Sequence, residues 1–107
     1  MHANARKVYP VAAFNKRLAS YVGRVREIWV EGEVSELRRN DAWANVFLTL
    51  KDVVTGDCLP ATMQRLRYDA IAPPLVEGER VQVLGSVQLY EARGELSFRL
   101  AAVERVG

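Results

Sequence analysis

Ile28-Trp29-Val30-Glu31-Gly32-Glu33-Val34-Ser35 carries a period of two: Ile28, Val30, Gly32 and Val34 fall on one face, and Trp29, Glu31, Glu33 and Ser35 on the other. Such an alternation predicts a long β-strand, beginning near Arg26, with a glycine in its middle. Glycine weakens a strand unless it serves a bend or a close backbone approach, and a small barrel needs one where its first strand crosses between the two halves of the sheet. Gly32 is the expected corner.

The same period recurs downstream. Val46, Leu48 and Leu50 alternate with Phe47, Thr49 and Lys51, and a turn at 52–57 returns the chain into Cys58–Gln64, where Leu59, Ala61 and Met63 continue the inward face. Val81, Val83, Gly85, Val87 and Leu89 alternate with Arg80, Gln82, Leu84, Ser86 and Gln88, and a short Ala92-Arg93-Gly94 turn leads to Leu96, Phe98 and Leu100, so the last two strands form a hairpin. Gly94 supplies the positive φ of that turn. Between the strands, 38–45 loses the alternation and reads as a loop. The stretch 65–75 ends in Pro73-Pro74 and reads as an irregular or short helical connection. Upstream, Val11, Phe14, Leu18, Tyr21, Val22 and Val25 recur at spacings of three and four behind Pro10, predicting one amphipathic helix. With no parallel βαβ pattern, five short strands in the order α-β-β-β-(α)-β-β close most economically into a small barrel. The expected fold is all-β with an N-terminal helix.

Composition narrows the function. The 107 residues, half of them apolar, fit one core. No run approaches the roughly 18 apolar residues of a membrane span, and the N-terminus leads into no apolar signal core, so a soluble, cytoplasmic protein with no membrane partner is expected. Cys58 is the single cysteine and His2 the single histidine, too few for an internal disulfide or a zinc site. Glu31 and Glu33 have no histidine near them and read as a solvated strand face. The net charge of +2 is small, but twelve of the fifteen basic residues are arginine, which suits phosphate forks and base stacking and equally fits a base-composition bias.

Three stretches together carry a family likeness: Ile28-Trp29-Val30-Glu31-Gly32-Glu33-Val34-Ser35-Glu36-Leu37, Phe47-Leu48-Thr49-Leu50-Lys51-Asp52, and Leu89-Tyr90-Glu91-Ala92-Arg93-Gly94-Glu95-Leu96. In order and separation, from about Tyr9 to Gly107, they resemble the N-terminal nucleic-acid-binding domain of the exodeoxyribonuclease VII large subunit, and Glu77-Gly78-Glu79-Arg80-Val81 resembles its entry into the fourth strand. One departure is plain: many relatives have a glycine-histidine-aromatic run before the second strand, where this chain reads Trp43-Ala44-Asn45-Val46-Phe47. The resemblance implies a five-stranded OB-fold Greek-key barrel, assembly with several small subunits and with further large-subunit regions, and degradation of single-stranded DNA to oligonucleotides by a nuclease region downstream. Residues 1–9 then read as an N-terminal extension and 10–107 as the OB domain of a longer protein. The chain stops at Gly107 just as the last strand ends, which agrees with a fragment. No catalytic residue, metal or cofactor is assigned.

OB barrels bind oligonucleotides across the second and third strands, between the first-to-second and fourth-to-fifth loops. Arg38, Arg39 and Trp43 fall in the first of these loops, Phe47, Thr49 and Lys51 on the outer face of the second strand, and Tyr90 and Arg93 at the hairpin. These eight are the candidate nucleic-acid contacts: rings to stack bases, cations to hold phosphates. Arg65 and Arg67, beside the 65–75 connection, either extend the basic track or are simply solvated. Trp29 is expected to pack beneath the N-terminal helix, and Trp43 either stacks a base or caps the barrel. The leading expectation is a sequence-tolerant binder of single-stranded DNA that presents the strand to the nuclease region. The alternative is an assembly module for the parent subunit, and a homodimer of the isolated domain stays open.

Overall fold

The computed structural model describes residues 6–106, so His2, most of the expected 1–9 extension and Gly107 lie outside the described residues. Helix α1 (Val11–Val22) precedes strands β1 (Ile28–Arg38), β2 (Asn45–Lys51) and β3 (Cys58–Gln64), a short helix α2 (Arg65–Asp69), and strands β4 (Arg80–Tyr90) and β5 (Glu95–Arg105). The strands close into a barrel in the order β1-β2-β3-β5-β4. Every pairing is antiparallel except β3 with β5. This is the five-stranded OB barrel that the sequence predicts.

The corner lies at Gly32. Ile28 to Glu33 pair with β4 and Glu33 to Arg38 with β2, so Glu33 serves both neighbours one residue after the glycine. A Cβ at Gly32 would meet the Lys51 carbonyl oxygen at 3.2 Å and the Leu50 Cβ at 3.3 Å, which is the close backbone approach a glycine permits. Three residues after Gly32, Ser35 is a bulge, the extra residue between the pairs Val34–Leu50 and Glu36–Thr49. Its hydroxyl donates to the Thr49 carbonyl at 3.2 Å. The bulge resets the alternation, so that Leu37 turns toward the core and Arg38 outward.

All five strands feed the core, which holds Val34, Val46, Leu48, Leu50, Ala61, Met63, Val81, Val83, Phe98 and Leu100. The β3–β4 connection adds Tyr68 and Leu75, neither of them expected there from the sequence. Gly94 has the expected positive φ of 65° in the hairpin turn. No helix among the described residues is long and apolar enough to cross a membrane. Helix α1 packs on β4 and buries no side chain fully. The placement of Trp29 beneath it is therefore corrected: the helix lies over the neighbouring strand, and Trp29 stays 48% exposed.

Candidate nucleic-acid interface

Strand register brings distant residues into one transverse row. Arg38, at the end of β1, pairs with Phe47 on β2; Phe47 pairs with Thr62 on β3, Thr62 with Arg99 on β5, and Arg99 with Ser86 on β4. Their sequence neighbours Val46, Leu48, Ala61, Met63, Phe98 and Leu100 point into the barrel, so the row points out. The Arg38 guanidinium lies 5.8 Å from the centroid of the Phe47 ring, within cation–π range. Trp43 meets the same ring edge-on, at 5.7 Å between centroids and 81° between planes. Arg99 donates to the Asn45 side-chain oxygen at 3.3 Å.

Two concavities share Phe47, Thr62, Leu96 and Ser97 as their floor. The smaller reaches Glu36, Arg38 and Thr49. The larger, about 650 Å³, reaches Asn45, Tyr90, Arg93, Glu95 and Arg99. Together they trace a groove across β2, β3 and β5 from the first-to-second loop to the last hairpin. Its chemistry is mixed: rings at Phe47 and Tyr90, with Trp43 against Phe47, cations at Arg38, Arg93 and Arg99, and carboxylates at Glu36 and Glu95. Rings and cations so interleaved are the chemistry by which OB barrels in general engage single strands.

Six of the eight expected contacts, Arg38, Trp43, Phe47, Thr49, Tyr90 and Arg93, line this groove or touch a residue that does. Lys51 sits apart. It lies four residues along β2 from Phe47, in a separate hollow with Glu31, Asp52 and Asp57. Arg39 is held within the protein. Its guanidinium donates to both oxygens of Asp69 at 2.8 Å and to Asp41 at 2.6 Å, three of its five N–H groups engaged with carboxylates of its own chain. Arg65, raised as a basic-track residue, instead donates to the Trp43 carbonyl at 2.8 Å and bridges Asp69 at 3.5 Å. Both arginines fasten the loop carrying Trp43 to α2. Arg67 lies in a hollow with Arg99 and Ser86, at the far end of the row.

The Arg39 hydrogen bonds hold the Asp69 carboxyl below its ordinary value, and Asp69 in turn holds the Arg39 guanidinium protonated. A depressed carboxyl pKa contributes stability that is present above the ordinary carboxylate range and is lost as pH falls through the folded value. Asp69→Asn is therefore expected to melt below the wild type at pH 7, and the difference to shrink at an acidic pH below the ordinary carboxylate range. Thermal denaturation followed by circular dichroism at the two pH values checks this.

Arg99 and Thr62 were missed by sequence reasoning. Alternation alone puts Arg99 outward, between Phe98 and Leu100, but the parallel β3–β5 pairing that sets it beside Thr62 leaves no mark in the sequence. Among the described residues no cluster of three potential metal ligands occurs.

A closed five-stranded barrel with an aromatic and basic row across β2, β3 and β5 defines the class of OB-fold nucleic-acid-binding domains. The chain belongs to that family, whose profile matches residues 9–104. Within it, the chain is similar to the exodeoxyribonuclease 7 large subunit of Streptomyces griseus subsp. griseus, 34% identical over 107 residues that make up all of this chain and 27% of that protein. The same subunit of Acidothermus cellulolyticus is 30% identical over 105 residues, 98% of this chain and 25% of that protein. The chain thus spans about a quarter of the length of these relatives.

Among solved structures, a chain of a Replication Protein A heterotrimer bound to ssDNA superposes with a TM-score of 0.59 at 17% identity, over 78% of this chain and 59% of that one. The dimeric N-terminal domain of PriB from Thermoanaerobacter tencongensis gives 0.57 at 20% identity, over 77% of this chain and 97% of that one. At such identities the likeness shows a shared fold.

Proposed function

We propose that this domain binds single-stranded DNA without sequence preference, along the groove that runs from Arg38 and Trp43 over Phe47 to Tyr90 and Arg93. The observation that carries the proposal is the convergence of Arg38 and Trp43 on the half-exposed ring of Phe47, at the centre of that groove. Single strands have splayed bases that a ring can stack, at about 1–3 kcal/mol per base, whereas duplex bases present no free face. The phosphates fall to Arg38, Arg93 and Arg99.

The similarity to exodeoxyribonuclease 7 large subunits supports a place for the domain in such a cytoplasmic enzyme: residues 10–107 hold the strand, a nuclease region elsewhere in the longer protein cuts it to oligonucleotides, and small subunits complete the assembly. The whole-chain match and its quarter share of those proteins favour this division of labour.

The test is a fluorescence-anisotropy titration with labelled oligo-dT, single-stranded and then duplexed, at low and moderate salt. Tighter binding of the single strand, falling with salt, supports the proposal; equal affinity for the duplex, or no binding at low salt, overturns it. Within the same titration Arg99→Ala is expected to weaken binding about threefold to tenfold, as the loss of one phosphate contact does, and Lys51→Ala to change it less than about twofold. A larger loss at Lys51 than at Arg99 would move the strand to the other end of β2.

A further inference from the structure

Charge is divided unequally along this chain. Residues 6–26 carry six basic residues and no acidic one, whereas 27–107 carry nine basic against thirteen acidic. The barrel is thus net negative, and the positive charge of the molecule resides in α1 and its flanks. Within the barrel, Arg39, Arg65, Arg80 and Arg105 are each bridged to a carboxylate, which removes four cations from the supply open to a polyanion.

On α1 the basic residues are interleaved with rings. Phe14, Arg17, Tyr21 and Arg24 follow one another at spacings of three, four and three, which aligns the first three along one side of the helix and sets Arg24 in the turn beyond it. The Arg17 guanidinium lies 5.0 Å from the centroid of the Tyr9 ring and donates to its hydroxyl at 2.6 Å. Arg24 lies 5.7 Å from the Tyr21 ring. Phe14 is 52% and Tyr21 71% exposed. The residues of the helix least open to solvent, Asn15, Leu18, Ala19 and Val22, recur at a spacing that marks a different side, so packing on β4 does not use the stripe.

The stripe begins where the groove ends. Asn15, next to Phe14, donates its side-chain amide to the Glu91 carbonyl at 2.9 Å, in the same turn that carries Arg93. We infer that a bound single strand continues from the barrel groove past the β4–β5 turn onto α1, where Arg17 and Arg24 take phosphates and Phe14 and Tyr21 offer rings to bases. The inference rests on the groove proposed above. A second copy seating its own α1 on the stripe fits less well, since 6–26 hold six basic residues and no acidic one, so the two helices would oppose like charges.

The experiment compares oligo-dT of about 6 nucleotides, within the span of one OB barrel, with oligo-dT of about 20 nucleotides. The proteins are the wild type, Arg17→Gln/Arg24→Gln, Phe14→Ala/Tyr21→Ala and Phe47→Ala, each checked for folding by circular dichroism. Both stripe variants are expected to bind the long oligonucleotide about tenfold more weakly and the short one as the wild type does. For the arginine pair, the slope of log K against log salt should also shrink by about 1.4 on the long oligonucleotide, the share of two single-strand phosphates. Unchanged binding of the long oligonucleotide by both stripe variants overturns the inference. So does a loss of self-association in sedimentation with DNA binding intact, which would give the stripe to a second copy. Phe47→Ala separates the two levels: no effect on either length would sink the groove, whatever the stripe variants do.

Discussion

Phe47→Ala is expected to raise the dissociation constant for single-stranded oligo-dT by about 5- to 150-fold, the range that loss of a single base stack of about 1–3 kcal/mol produces. The size of the effect follows from position. Phe47 is the cross-strand partner of both Arg38 and Thr62, touches Trp43 edge-on, and floors both halves of the groove. Truncation removes the stacking face, leaves Trp43 without its edge contact, and takes from Arg38 the ring over which its guanidinium lies. Phe47→Leu separates these parts, because leucine keeps an apolar side chain on the strand but has no π-face. It should bind with an affinity close to that of Phe47→Ala if stacking dominates, and close to wild type if the ring only fills space. The ring is 40% exposed and outside the core, so both variants should fold, with melting temperatures within a few degrees of the wild type. A change below about threefold for Phe47→Ala, with folding intact, would take base stacking out of the groove.

Strand number, strand faces and the hairpin were all legible in the sequence, because alternation reports local geometry directly and each buried face had to be written in consecutive odd or even positions. The corner at Gly32 was legible for the same reason: a glycine inside a clean alternation has few other uses. What escaped depends on register and on long-range partners. The Ser35 bulge shifts the alternation by one residue without any change in residue type that announces it. Arg39 reads as a loop cation until α2 brings Asp69, thirty residues on, to its guanidinium. Lys51 shares a face with Phe47 by parity, yet parity is silent on distance along the strand. Arg99 joins the row through the parallel β3–β5 pairing, which places together residues that belong to no shared hairpin. The contacts around Phe47 were half visible: Trp43 was named as a stacking ring or a cap, and the structure sets it against Phe47 with a share of its surface still open.

Gly85→Ala is expected to destabilise the domain by about 2–3 kcal/mol, at the upper part of the usual overpacking range, and to lower the melting temperature by on the order of 10 °C. A Cβ built at Gly85 would stand 2.7 Å from two ring carbons of Phe98 and 2.8 Å from the Arg99 carbonyl oxygen. Gly85 is not among the glycines of positive φ, so the requirement is for space and not for backbone freedom. The space is taken by Phe98, a core ring only 4% exposed, and the strands are irregular at this point: Leu84 pairs with Ala102 but Gly85 with Leu100, leaving Ala101 as a bulge in β5. In an unstrained strand interior alanine would gain about 0.5–1 kcal/mol over glycine, so even the sign of the change is informative. Adding Phe98→Leu should recover part of the loss, since the smaller side chain withdraws from the new methyl while the Arg99 carbonyl still opposes it. The site feels the same clash. Moving the Arg99 backbone moves the Arg99 side chain out of its row with Thr62 and Phe47, so Gly85→Ala should also weaken oligo-dT binding in the fraction that remains folded. A variant that melts with the wild type would mean that Phe98 does not occupy the space at Gly85, and that this glycine neither shapes the core nor steadies the groove.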